Sequence, residues 1–503
     1  MQQSFHIPLL SLLVWLPLLG ALLCLSAHRR PGICRALALG VSGAVFLLAL
    51  TEFILHGPGT GWHHFEDLPW IGRFGVRYIL GMDGLSLLMV LLTAFLFPVA
   101  ILVSWNEKKR PSLHFALLLA METGILGVFL ALDLILFYLF WEVMLIPMFL
   151  LIGIWGHGRR VYSAVKFFLF TLAGSLLMLL AIIGLHLVHA QQTGGASFAL
   201  SALLQTDIPS GLEPWLYGAF LLAFIIKVPL VPLHTWLPDA HSDAPTAGSV
   251  SLAGLLLKTG VYGLLRFAMP LFPDSARASL PWLAALALTG IFYGALIAYV
   301  QRDAKRLIAY SSVAHLGFVM LGIAAWERTA LEGSILQMLN HGISTGALFA
   351  LVGMIDDRAR TRQVDELGGL WGRTPVLGCF FLFFCMASLG LPGLNNFVGE
   401  ILILLGTFRV QPLWGTLALP GVVLAAAYLL RLVQGVLWGK ARPAATPPWA
   451  DMDLREGLIL IPLALMVLWL GLYPAPFLNP LATPVSELLR SLETQAPVRE
   501  VTP

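Results

Sequence analysis

The sequence predicts an all-α polytopic membrane protein of about fourteen transmembrane helices, arranged as two inverted five-helix repeats with helices 7 and 12 broken. Three observations predict it. Of 503 residues, 58% are hydrophobic and only 11% charged, where a soluble domain carries about a quarter charged. Apolar runs of about twenty residues, the length of one crossing, recur from end to end. Ionisable residues also stand inside those runs at a repeated spacing. This pattern excludes a soluble enzyme, a disordered chain and a nucleic-acid-binding module. A membrane β-barrel is excluded as well, because its strands would alternate polar and apolar at every second residue.

The runs fall near 7–27, 33–55, 82–105, 113–131, 134–155, 161–190, 214–236, 244–268, 279–300, 305–325, 331–355, 374–408, 412–439 and 456–475. The first lacks a basic leader and a clear cleavage site, so it reads as a retained helix and not a signal peptide. The connections are too short for a second soluble domain. The tail after Tyr473 is polar, short and punctuated by proline.

Lysine and arginine set the orientation. Alternate connections hold Arg29, Arg30 and Arg35, then Lys108, Lys109 and Arg110, then Arg159 and Arg160, then Arg302, Lys305 and Arg306. Arg358, Arg360, Arg362 and Arg373 follow, and finally Lys440, Arg442 and Arg455. The opposite connections hold only Arg73, Arg77, Arg277, Arg328 and Arg409. The first set is therefore expected on the cytoplasmic side, with both termini on the other side.

A charge at the bilayer centre costs at least ~2.5–3.5 kcal/mol, so such residues need a reason. Glu142, Lys227, Lys258 and Glu400 stand deep in apolar runs, and His315 and His341 join them. Any one of them alone reads equally as a paired structural group. Six in one chain, with both signs present, read as a polar track. Their spacing adds weight, since Glu142 to His315 and Lys227 to Glu400 are both separated by 173 positions, and the same step from Lys258 reaches Arg431. Coincidence is the alternative. Otherwise the chain divides into 1–112, with three helices; 113–268, a first five-helix repeat; 269–440, a second, inverted repeat; and 441–503, a last helix and the tail. Inverted repeats with interrupted helices at membrane depth are a transporter pattern.

The interruptions fall beside the charges. Lys227 precedes Pro229 and Pro232 in KVPLVPLHTWLPDAH. Proline removes a backbone donor and releases the carbonyl four residues back, here those of Ile225 and Val228. Gly390, Pro392, Gly393, Asn395 and Asn396 precede Glu400. A simple kink is the alternative reading. Pro147 follows Glu142 within its run and would release the Val143 carbonyl. Ser311 and Ser312 share a helix face with His315, and Ser344 and Thr345 share one with His341. These hydroxyls, like Gly342 and Gly346, can equally serve helix packing.

Burial disfavours the charged form of a side chain and a nearby opposite charge favours it; histidine titrates near neutrality unaided. A row of Glu142, Lys227, Lys258, His315, His341 and Glu400 suits proton relay better than carriage of a solute. Glu122 is a weaker candidate as a cavity-lining group. Asp133 reads as a helix cap, and Lys166 as a side chain that snorkels to the interface. His234, Asp239 and His241 read as residues of the cytoplasmic mouth. Cys24, Cys34, Cys379 and Cys385 form no CxxC pair, and no nucleotide fingerprint is present, so no metal or cofactor site is expected.

FWEVMLIPMFLLIGIWG, KVPLVPLHTWLPDAH, RLIAYSSVAHLGFVMLG, MLNHGISTGALFALVG and SLGLPGLNNFVGEILIL resemble the antiporter-like membrane subunits of respiratory complex I. The likeness runs from MDGLSLLM at residue 82 to WGK at 438–440. It implies fourteen helices with two inverted repeats, and a gating role for the Glu142–Lys227 pair. It also implies a central axis of Lys258, His315 and His341, with Glu400 at the exit side. Arg431 and Glu122 rest on spacing and depth alone. The resemblance implies that NADH, FMN, iron–sulfur clusters and quinone are bound by other subunits, and that this chain lies in a bacterial inner membrane beside further antiporter-like subunits (L and N) and small membrane subunits. Glutamate at position 400, where sister branches usually carry lysine, counts against one competing reading, a cation/proton antiporter subunit; the membrane arm of a related hydrogenase is a further alternative, separated by the soluble partners of the native assembly. A purely structural spacer would not need the charges.

Overall fold

The computed structural model describes residues 8–56, 61–439 and 449–493. Lys440 and Arg442 of the last basic connection lie outside them. The chain is helical nearly throughout. Helices α1 (Leu9–Ser26) and α2 (Pro31–His56) lead into a hairpin of β1 (His64–Ile71) and β2 (Val76–Met82). Then come α3 (Gly84–Val103), α4 (Pro111–Leu130), α5 (Leu134–Trp155) and α6 (Arg160–Thr193). After a connection follow α7 (Glu213–Lys227), α8 (Trp236–Asp243) and α9 (Thr246–Leu271). The second half runs through α10 (Pro273–Val300), α11 (Ala304–Ala325), α12 (Arg328–Ala359), α13 (Pro375–Ser388), α14 (Asn395–Val410) and α15 (Pro412–Trp438). Helices α16 (Leu454–Leu472) and α17 (Ala482–Glu493) close it.

Among the described residues, α1–α6, α9–α12, α15 and α16 are the twelve helices long and apolar enough to cross a membrane. The two remaining apolar runs are split where prolines and glycines predicted it, between α7 and α8 and between α13 and α14. The second break is a helix ending of Schellman type. Gly390 N–H donates to Ala387 O and Leu391 N–H to Met386 O, and Gly390 takes φ 81°, a conformation glycine reaches without Cβ strain.

The helix starts explain several charges. Asp83, Asp133, Asp303 and Glu327 each accept a backbone N–H in the first turn of α3, α5, α11 and α12, and such a cap is worth about 1 kcal/mol. Asp133 is thus a cap, as its position implied.

Packing is concentric. The hydrophobic spans of α9, α11 and α12 are 100%, 94% and 94% buried, whereas that of α2 is 28% buried. The outward faces remain apolar, with Leu47, Ile54, Leu180, Trp282, Leu296, Val423 and Leu465 exposed. That is the surface a bilayer solvates.

Two elements went unread in the sequence. In the hairpin, Glu66 accepts the N–H groups of Leu10 and Ser11, so it caps α1, whose preceding residue, Pro8, offers no side-chain cap. The tail contains α17, which buries Val485 and Leu488 and packs on α3, α10 and α12.

Candidate functional site

One group of buried polar residues gathers on α9, α11, α12 and α14, the enclosed helices and the one after the second break. A π-helical turn, Leu252–Leu256, immediately precedes Lys258. Such widened turns expose backbone carbonyls, and Ala253 O accepts a hydrogen bond from Lys258 Nζ. The same Nζ lies 2.7 Å from His341 Nδ1 on α12. The rings of His341 and His315 are 5.8 Å apart. His315 Nδ1 in turn lies 2.8 Å from Glu400 Oε1 on α14. All four side chains are 4% exposed or less. Two hydrogen-bonded pairs, Lys258–His341 and His315–Glu400, therefore face each other across one histidine-to-histidine gap. His341 Nε2 has no protein partner there.

The tautomers are constrained by neighbours. Tyr428 O–H is 3.3 Å from His315 Nε2. If that hydroxyl donates, Nδ1 carries the proton and donates to the carboxylate. Gln337 Nε2 also donates to Glu400 Oε1, at 3.1 Å. Ser311 and Ser312 donate to Ile308 O on their own helix, and Ser311 also hydrogen-bonds Tyr428, the residue beside His315 Nε2. Ser344 instead bonds Asn395 Oδ1.

Glu142 and Lys227 form a separate, open pair. Lys227 is fully buried at the last turn of α7. Its ammonium lies 5.3 Å from the Trp141 ring centroid and 5.5 Å from that of Phe167, and it has no hydrogen-bond partner. Glu142 is partly buried, with Oε1 enclosed and unpartnered. No direct ion pair joins the two. Lys227 nevertheless stands close to the central axis, because Gly260, two residues after Lys258, lets α7 press on α9. A Cβ on Gly260 would stand 2.9 Å from Phe224 O and 3.0 Å from Lys227 Cβ.

The first break resolves differently from expectation. Of the two carbonyls expected to be released, Ile225 and Val228, that of Ile225 accepts Leu230 N–H and is not left free; the neighbouring Ile226 carbonyl accepts the Trp236 indole N–H. The 173-residue spacing also aligns charges but not breaks. Lys227 precedes its break and Glu400 follows its own.

Other candidates lie apart. Arg431 is exposed on α15, where it bonds Tyr299 O and covers the Tyr299 ring; it is not brought to the axis. Glu122 is fully buried in α4 with neither carboxylate oxygen partnered, and no hydrogen bond or ion pair ties it to the axis. Lys166 pairs with Asp239 at 2.7 Å, and Arg306 joins the same carboxylate at 3.2 Å. His241 is buried and stacked flat on Phe349, both ring nitrogens unpartnered. Reading the sequence alone missed Gln337, Asn340 and Tyr428, whose residue types signal nothing until the helices are packed. Among the described residues no group of three or more His, Cys, Asp or Glu is placed to hold a metal.

Fold and site together define a polytopic membrane subunit of the antiporter-like class, with a buried lysine–histidine–glutamate row beside two interrupted helices. The chain belongs to the NADH:quinone oxidoreductase/Mrp antiporter transmembrane family, whose pattern matches residues 131–425. It is 45% identical over 483 residues to NADH-quinone oxidoreductase subunit M of Pseudomonas aeruginosa, covering 93% of this chain and 94% of that one. A chain of Thermus thermophilus respiratory complex I with bound NADH superposes with TM-score 0.86 at 34% identity, covering 95% of this chain and 99% of that chain. A chain of the Mrp complex from Dietzia sp. shares the fold, with TM-score 0.83 at 21% identity and coverage of 96% and 98%.

Proposed function

We propose that this chain is a proton-translocating membrane-arm subunit of an NADH:quinone oxidoreductase, in the place that subunit M takes in its relatives, and that Glu142, Lys227, Lys258, His341, His315 and Glu400 carry the proton. The observation that carries this reading is the row from Lys258 through His341 and His315 to Glu400. Each member can bind and release a proton; the members of each pair are within hydrogen-bond distance, and the two histidine ring centroids are 5.8 Å apart. Residues 113–268 and 269–440 serve as half-channels related by inversion, flanked by 1–112 and 441–503. Counting each broken helix as one span gives fourteen. The basic connections then place both termini on the periplasmic side of a bacterial inner membrane.

Moving one proton against 100 mV takes about 2.3 kcal/mol, so an uninterrupted wire would dissipate the gradient. The open Glu142–Lys227 pair supplies the interruption. Closing it would stabilise charge on Lys227, and by like-charge repulsion would drive a proton from Lys258 toward His341 and Glu400. NADH oxidation and quinone reduction occur on other subunits and supply the work. The neighbours are further antiporter-like subunits of the same arm.

Lys227→Met in the assembled complex, reconstituted in vesicles with NADH and quinone, tests this. NADH oxidation and proton uptake should fall together. Normal rates of both would make the buried charges structural. Sodium-dependent exchange without NADH would favour the second reading, a cation/proton antiporter subunit, which the Mrp-like fold keeps in view; co-purification with hydrogenase subunits in place of the NADH-oxidising ones would favour a hydrogenase membrane arm.

A further inference from the structure

We infer that Gln337 is a positioning residue for Glu400, holding the carboxylate so that one oxygen faces His315 and the other faces the break between α13 and α14. The inference rests on the relay reading above. Glu400 Oε1 takes two donors, His315 Nδ1 at 2.8 Å and Gln337 Nε2 at 3.1 Å. A carboxylate oxygen bound from two sides cannot rotate away without losing both bonds, and bonds to a charged acceptor are the stronger kind.

The Gln337 amide is itself fixed. Its Oε1 accepts Asn340 Nδ2 at 3.3 Å, so the N–H₂ end must point at the carboxylate; a flipped amide would set oxygen against oxygen. Asn340 Nδ2 also donates to Asn395 O at 2.8 Å, and Asn395 Nδ2 returns a bond to Asn340 O at 3.1 Å. Gln337, Asn340 and Ser344 thus form one polar stripe on α12, at helical spacing, that pins the first turn of α14. His341, between them in sequence, turns to Lys258 on another face.

Two glycines make the space. A Cβ on Gly399 would collide with Gln337 Oε1, and one on Gly390 would stand 3.2 Å from Glu400 Oε2. The second oxygen therefore lies against the break, where Leu391 is 43% exposed. The carboxylate links the enclosed axis to the one interruption of the helix that carries it, and Gln337 decides which oxygen does which.

The test uses the assembled complex and infrared difference spectra, with the Glu400 carboxyl band identified as the one lost in Glu400→Gln. Gln337→Met should shift that band to higher frequency, as a carbonyl losing a donor does, and slow coupled proton uptake roughly ten- to a hundredfold, the worth of one hydrogen bond to a charged group. Gln337→His, which restores an N–H donor, should recover most of both. If Gln337→Met does not assemble, Gln337→Asn withdraws the same amide by one methylene and serves instead. An unchanged carboxyl band on losing the amide would overturn the positioning role while leaving Glu400 in the relay. Normal proton uptake in Glu400→Gln would instead overturn the relay reading itself.

Discussion

Gly260→Ala should slow proton pumping without replacing any ionisable residue. The site is where α7, ending in Lys227, meets α9, carrying Lys258. A methyl there would stand 2.9 Å from Phe224 O, 2.9 Å from Val228 Cγ2 and 3.0 Å from Lys227 Cβ. A Cβ essentially never sits closer than about 3.0 Å to a neighbour, so these atoms must give by a few tenths of an ångström. One of the three atoms is backbone and another is a Cβ, so no side-chain rotation relieves them; α7 itself must move. Forcing one methyl into a packed core costs about 1–3 kcal/mol. If that strain is relieved by displacing the lysine, turnover falls roughly five- to a hundredfold. The assay is NADH oxidation with proton uptake in vesicles. The apparent KM for NADH and for quinone should stay constant, because their sites are assigned to other subunits. Gly218→Ala is the control, on α7, the helix that Gly260→Ala would displace, with no atom of another residue within 4 Å of its would-be methyl beyond its own helix backbone and chain neighbours. Unchanged turnover in Gly260→Ala, with the variant fully assembled, would refute the idea that the α7–α9 approach sets the distance between the two lysines.

Glu122→Leu should lengthen the half-life of quinone reductase activity at elevated temperature roughly fivefold, by removing about 1 kcal/mol of unpartnered polar burial, and leave pumping intact; lost pumping would bring Glu122 into the relay. Arg431→Ala should leave proton uptake within twofold of the parent, because its contacts in this chain end at Tyr299; a larger loss would restore it as the partner of Lys258 at the 173-residue step.

The fold was legible in the sequence because a membrane forces it to be. Each crossing must satisfy its own backbone, so each writes a twenty-residue apolar run. The breaks were legible because proline and glycine act locally, as at Pro229 and Gly390. The hairpin was not, since His64–Ile71 mixes charged and apolar residues without clean alternation and depends on pairing with Val76–Met82. Helix α17 was not, because its twelve residues are too few and too polar to read as a span, and only packing brings Val485 and Leu488 inside. Among the site residues, Glu142, Lys227, Lys258 and Glu400 were conspicuous, since charge in an apolar run is costly wherever it points. Arg431 looked equivalent by the same criterion, yet it lies at an exposed face near the end of its helix. Depth along a helix is visible in a sequence, but direction around it is not. For the same reason Gln337 and Tyr428 stayed invisible, because uncharged polar residues are ordinary in helices and acquire a role only from what stands opposite.

The positions of the unpartnered atoms say more about control than the bonds do. Lys258–His341 and His315–Glu400 are closed segments, along which a proton needs no rearrangement to be shared. Lys227 Nζ, Glu142 Oε1 and His341 Nε2 are enclosed and bond to no protein atom. Leaving such groups unsatisfied costs about 1–3 kcal/mol each, so each marks a place where an internal water or a side-chain shift would be stabilising. Those places fall between the closed segments and between the two charges of the outer pair. If the proposed relay carries the proton, conduction depends on a small number of gaps being filled together, and a pump can couple to distant redox chemistry by changing how often they are.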